Sequence, residues 1–94
     1  MQIDDKEIFN LKLGGRIKRA RNEFGFSLEK LNEASGLNLS KGSFSAMENG
    51  RQQISAYQLF CISKALNTSI ESLVGDNAVQ IDVSEEDIKK INEI

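Results

Sequence analysis

At 94 residues, 39% apolar and 28% charged, the chain can bury one hydrophobic core but not two, so one compact domain with short extensions is expected. It has no histidine and a single cysteine, which removes the usual general base, the commonest metal ligand and any disulfide within the chain. No enzyme, no metal and no cofactor is expected on that basis.

The net charge of −2 is an average over unlike parts. Residues 8–75 hold nine Lys and Arg against five Asp and Glu, a balance of +4, whereas residues 76–94 hold two Lys against six acids and residues 1–7 are at −2. A mildly basic body with acidic ends permits binding to phosphates without requiring it. There is no apolar run of about twenty residues, and the start, MQIDDKEIF, is acidic where a secretory signal would be basic and then apolar. A soluble, cytoplasmic protein with no membrane partner is expected.

In chain order, Leu13, Ile17, Ala20 and Phe24 recur at helical spacing, and Gly25 is placed to end that first helix. Its start is open between Asp5 and Leu13, because Gly14 and Gly15 each cost about 1 kcal/mol in a helix interior. A pattern then recurs four times: Phe26-Ser27 with Leu31, Leu39-Ser40 with Phe44, Ile54-Ser55 with Leu59, and Val83-Ser84 with Ile88. Each is a serine N-cap bracketed by an apolar pair that staples the first turn. Gln58 completes a capping box with Ser55, and Glu85, Glu86 and Asp87 suit the positive end of a helix at Ser84. Ser69 is read as a further cap, with Ile70, Leu73 and Val74 turned inward. Helices are therefore predicted over 27–35, 40–48, 55–66 and 69–74 after the first one. Cys61, inside LFCISKAL, is read as a buried core thiol. Beyond residue 78, Val79, Ile81 and Val83 alternate with polar residues as a weak strand signal over 79–83, before an amphipathic helix over 84–94 with Ile88 and Ile91.

The stretches LGGRIKRAR, GFSLEKLNEASG, LSKGSFSAMENGR and ISAYQLFCISKALNTSIESLVG, in this order and spacing, resemble the Cro/lambda-repressor-like (Xre-type) helix-turn-helix DNA-binding family over residues 11–75. The resemblance implies an all-α, five-helix lambda-repressor-like domain over 1–75, with 76–94 as an acidic C-terminal extension. It implies that helix 40–48 lies in the major groove while the start of helix 27–35 sits on the phosphate backbone. It also implies an ion pair between Arg21 and Glu48. That pair has a physical rationale, since Glu48 follows the inward-facing Phe44 and Met47, and a carboxylate there needs a partner such as a guanidinium fork.

Three departures from the family pattern stand out. Leu28 occupies the position after the cap of the second helix, where the family usually has a Gln reaching a phosphate. The turn is about two residues longer than usual. Asn38 is the other candidate cap for the third helix, but its staple partner would be Gly42, which cannot pack, so Ser40 is preferred. Finally, the recognition helix is short of long side chains.

With Ser40 as cap, Lys41, Gly42, Ser43, Ser45, Ala46 and Asn49 turn outward, and Lys41, Gly42, Ser43, Ser45 and Ala46 form the base-facing set. Lys41 suits guanine O6/N7, the serines suit a base or phosphate, and Ala46 suits a thymine methyl; Gly42 and Ala46 lack the bidentate groups that discriminate bases strongly. Shape and bridging water would then carry more of the specificity. The phosphate set is Ser27, Leu28, Asn49 and Arg51, with Arg16, Lys18 and Arg19 either assisting or forming a solvated basic face.

The expected function is a sequence-specific DNA-binding transcriptional regulator, repressor-like, acting on double-stranded DNA as a homodimer, since one such helix covers too few base pairs to be selective. The tail either meets a partner copy or packs back on its own domain. The alternative is a helix-turn-helix-fold protein-interaction module, antitoxin-like or an adaptor, favoured by Leu28, Gly42 and Ala46.

Overall fold

The computed structural model describes residues 4–75. Five helices follow one another: α1 (Asp5–Phe24), α2 (Leu28–Ser35), α3 (Lys41–Glu48), α4 (Ala56–Ala65) and α5 (Ile70–Val74). No strand occurs among the described residues. The strand and helix expected over 79–83 and 84–94, with the Ser84 cap, lie outside the described residues.

Capping chemistry marks each start. The Asp4 carboxylate accepts from the Glu7 N–H at 2.7 Å, which settles the start of α1 at its early alternative. Ser27, Ser40, Ser55 and Ser69 accept from the backbone N–H three residues on, at 3.0–3.1 Å, and Gln58 returns the bond to the Ser55 N–H at 2.9 Å. Each cap satisfies one amide that the helix leaves without a partner, an effect of about 1 kcal/mol. The C-termini of α1, α3 and α4 all close in the same two-bond motif. In α3, the Arg51 N–H reaches the Ala46 carbonyl at 2.9 Å and the Gly50 N–H reaches Met47 at 3.2 Å.

Leu13, Ile17, Leu31, Phe44, Met47, Ile62, Leu66 and Leu73 form one buried cluster to which α1 to α4, the α4 terminus and α5 all contribute. Burying each such side chain stabilises the fold by about 1.5–3 kcal/mol before entropy is counted. Two residues depart from the sequence expectation. Phe24 is not part of this cluster; it is 47% exposed at the end of α1 and meets Phe26 edge-on, with ring centroids 4.6 Å apart. Cys61 is half-buried, because α4 turns it toward its flank with Tyr57 and buries Ile62 instead. A hydrogen bond to Cys61, followed by that group's charge and some desolvation, pushes the Tyr57 phenol above its ordinary pKa.

Gly14 fixes how α3 sits on α1. An added Cβ would lie 2.3 Å from the Met47 carbonyl oxygen and 2.6 Å from that of Glu48, so the two helices meet backbone to backbone there. Gly15, next along, has open space around it. At Gly50 the positive φ of 76° turns the chain out of α3, and a Cβ would come within 2.7 Å of the Leu11 Cα. The stretch from Leu11 to Gly14 is thus a seat for the C-terminal end of α3.

Candidate nucleic-acid interface

The helix pair α2 and α3 is held from inside by one charged cluster. Arg21 of α1 donates through Nε to Glu48 Oε2 at 2.7 Å and through Nη2 to Oε1 at 3.0 Å, while its Nη1 donates to the Phe26 carbonyl at 2.8 Å. Both residues are buried, Arg21 at 9% and Glu48 at 5% exposure. The fork therefore ties α1, the end of α3 and the approach to α2 at a single point. A buried pair adds little stability over an apolar substitute, but breaking it leaves an uncompensated charge. Its consequence is to fix the orientation of α3 relative to the rest of the domain.

The longer turn has its own clamp. Gly36 ends α2 with φ 73°, and Asn38 also takes the left-handed region at φ 54°. The Asn32 side chain brackets the residue that follows, donating to the Leu39 carbonyl at 2.5 Å and accepting from the Leu39 N–H at 3.0 Å. Leu37 and Leu39 pack against the core on either side of Asn38. Both backbone groups of Leu39 are thus satisfied and apolar anchors flank Asn38, so α3 begins at a fixed position.

On this frame α3 has two unlike sides. Phe44 and Met47 are each 1% exposed in the core. Opposite them, Lys41 and Gly42 are exposed, and Ser43, Ser45 and Ala46 are half-buried. The sequence places all five outward; the helix surface shields the last three partly, since they flank the buried stripe. Asn49 is exposed and donates from Nδ2 to Ser45 Oγ at 3.3 Å, so these two act as a unit. Arg51 is exposed just past the helix end.

Ser27 serves as the cap of α2 and leaves the Leu28 and Glu29 amides at a positive helix terminus without helical acceptors. The Leu28 side chain packs against the core, so only its backbone is available to a phosphate. Of the basic residues of α1, Arg16 turns to α5: its Nη1 is 3.4 Å from the Val74 carbonyl, and its guanidinium fills the space where a Gly75 Cβ would stand. Arg16 thus sits at a helix C-terminus and keeps its positive charge, half-buried. Arg19 faces Glu23 at 3.9 Å in solvent, and Lys18 is exposed.

Two functional features are absent from the sequence reading. Asn32 is one, and its only signal is an amide placed mid-helix, seven residues before Leu39, which it clamps. The other is Glu29, whose Oε1 lies 3.6 Å from Lys41 Nζ, across a groove of about 250 Å³ lined by Leu28, Asn32, Glu33, Asn38 and Phe44. Among the described residues, no group of three or more His, Cys, Asp or Glu side chains is arranged to hold a metal. No described helix is long and apolar enough to cross a membrane.

Comparison with known proteins bears on this geometry. The model of the helix-turn-helix family matches residues 17–73, more than half of the chain and the whole of the α2–turn–α3 unit. Among solved structures, the restriction-modification controller protein C.AhdI from Aeromonas hydrophila is similar, with 27% sequence identity and a TM-score of 0.62 over 67% of this chain and 92% of that one. No curated protein matches the chain.

Proposed function

The chain belongs to the helix-turn-helix family of Xre, lambda-repressor-like DNA-binding transcription regulators, and from that premise we propose that it binds double-stranded DNA sequence-specifically as a repressor-like regulator, with α3 in the major groove. The observation that carries this reading is the two-sided α3. Phe44, Met47 and Glu48 hold one side inside, and the other side projects between two sets of groups suited to phosphates. At one edge stand the Leu28 and Glu29 amides beyond Ser27; at the other, Asn49 and Arg51. Contacts of that kind set register and orientation, and base edges are then read from between them.

Lys41 is the one cation on α3 and is assigned to guanine O6/N7. Ser45 is assigned to a base or phosphate, together with Asn49, and Ala46 to a thymine methyl. Gly42 and Ser43 contribute mainly low bulk, which lets the helix backbone come close to the groove floor and gives weight to DNA shape and bridging water. Residues 1–75 act as the DNA-binding domain. The acidic 76–94 segment, with Val79, Ile81, Val83, Ile88 and Ile91, supplies apolar surface to a second copy, so that a homodimer spans a two-fold operator in the cytoplasm. C.AhdI, a restriction-modification controller protein, is a precedent for regulation on a similar fold.

Selection of bound fragments from random duplex DNA, followed by binding titrations across salt, tests the reading. The expected result is an enriched motif whose affinity falls steeply with salt as counterions are released. Absence of an enriched motif, with binding that ignores salt, would show an interaction module in place of a DNA reader.

A further inference from the structure

Resting on the DNA-binding reading, we infer that Glu29 is a specificity-determining residue, acting through Lys41 by lowering attraction to DNA at large while leaving the reading of the operator intact. Lys41 is the only cation on α3, and every other outward side chain of that helix is small. Its ammonium is not isolated in solvent. It stands 3.6 Å from the Glu29 carboxylate, which is on the first turn of α2, where the helix dipole favours a negative group.

The geometry has a direct consequence for selectivity. On random DNA, attraction comes from charge, and a lysine whose partner is a carboxylate adds little net charge to the interface. On the operator, an ammonium has three donors, so Lys41 meets guanine acceptors while it keeps Glu29 as a partner. The carboxylate also limits where the flexible lysine stem points, aiming it across the groove between α2 and α3. Leu28 and Phe44 are among the residues that line that groove. Glu33, one turn further along α2, has a different partner: its carboxylate lies 3.6 Å from Lys30 Nζ on the same helix. It offers a matched control, an exposed acid of the same helix that borders the same groove but has no ion pair to α3 among the described residues.

The test measures affinity for the selected operator and for random duplex DNA, across salt, for the full chain and the variants Glu29→Gln, Glu33→Gln, Lys41→Ala and Glu29→Gln/Lys41→Ala. Glu29→Gln should tighten binding to random DNA by up to about five-fold, the range set by exposed ion pairs. It should also steepen the salt slope by about one contact and shrink the ratio of operator to random affinity. Glu33→Gln should produce much less, and in the Lys41→Ala background the effect of Glu29→Gln should largely vanish. Equal effects from Glu29→Gln and Glu33→Gln, or the same effect with and without Lys41, would overturn the inference and leave a generic acidic charge. If the unaltered chain selects no DNA at all, the functional reading fails first and this inference with it. Both glutamates are largely exposed, with side chains at 77%, so each single Gln variant should stay folded with only a small change in thermal unfolding.

Discussion

The eight residues of α3 divide between an inner and an outer side that obey different rules. Inside, each position is over-determined: Phe44 and Met47 fill the core, Glu48 is bonded twice by Arg21, and the helix end rests on the Gly14 backbone. Outside, Lys41 and Gly42 are exposed, Ser45 and Ala46 are half-buried, and the side-chain links among the described residues are long, Lys41 to Glu29 at 3.6 Å and Asn49 to Ser45 at 3.3 Å. The difference teaches that stability and recognition are separable here. Energy is concentrated in the side that positions the helix, which leaves the other free to be shaped by a ligand.

Breaking the inner side should have the largest effect. Arg21→Ala or Glu48→Ala strands a buried charge and should destabilise the domain by about 3–5 kcal/mol in denaturant unfolding. The double variant should lose less than the two single losses added, because the partners share one interaction. The neighbouring glycines sharpen the contrast. Gly14→Ala forces a Cβ into the α3 backbone and should cost about 1–3 kcal/mol or more, displacing the recognition helix with it. Gly15→Ala meets nothing and should stabilise by about 0.5–1 kcal/mol, since alanine is the better helix former.

Removing Asn32 tests whether the turn clamp belongs with the inner side. Asn32→Ala frees both backbone groups of Leu39 and should cost about 1–2 kcal/mol, with weaker DNA binding in proportion to the loosened start of α3. On the outer side, Lys41→Ala and Arg51→Ala should each change unfolding by no more than about 0.5 kcal/mol. Their signatures should appear in binding instead. Loss of Lys41 should relax base preference at one operator position, and loss of Arg51 should weaken all sequences alike.

Legibility in the sequence follows the same division. The helix starts are readable because a serine cap and its staple are local chemistry, as at Ser40 with Leu39 and Phe44, and the spacing of Leu13 and Ile17 marks a face toward the core. The last turn of α1 is where periodicity misleads. Phe24 keeps the helical spacing, but the helix has already run past the core, so the ring lies at the surface beside Phe26. Gly14 reads only as a weak helix former, since nothing local reveals that another helix approaches its backbone. Arg16 and Glu29 show the same limit for charges. Their partners are Val74, far along the chain, and Lys41, on the next helix, and a linear pattern of signs does not contain either pairing. Asn32 is invisible for a similar reason, because its role exists only once the longer turn has folded back on α2.

On the proposed reading, the side of α3 opposite Phe44 and Met47 meets DNA. Backbone amide spectra recorded during titration with the selected duplex test it most directly. The largest perturbations are expected at residues 27–29, 40–46 and 49–51, with little change along the flank of α4 around Tyr57 and Phe60. Perturbations concentrated on that flank, with residues 40–46 unmoved, would contradict it.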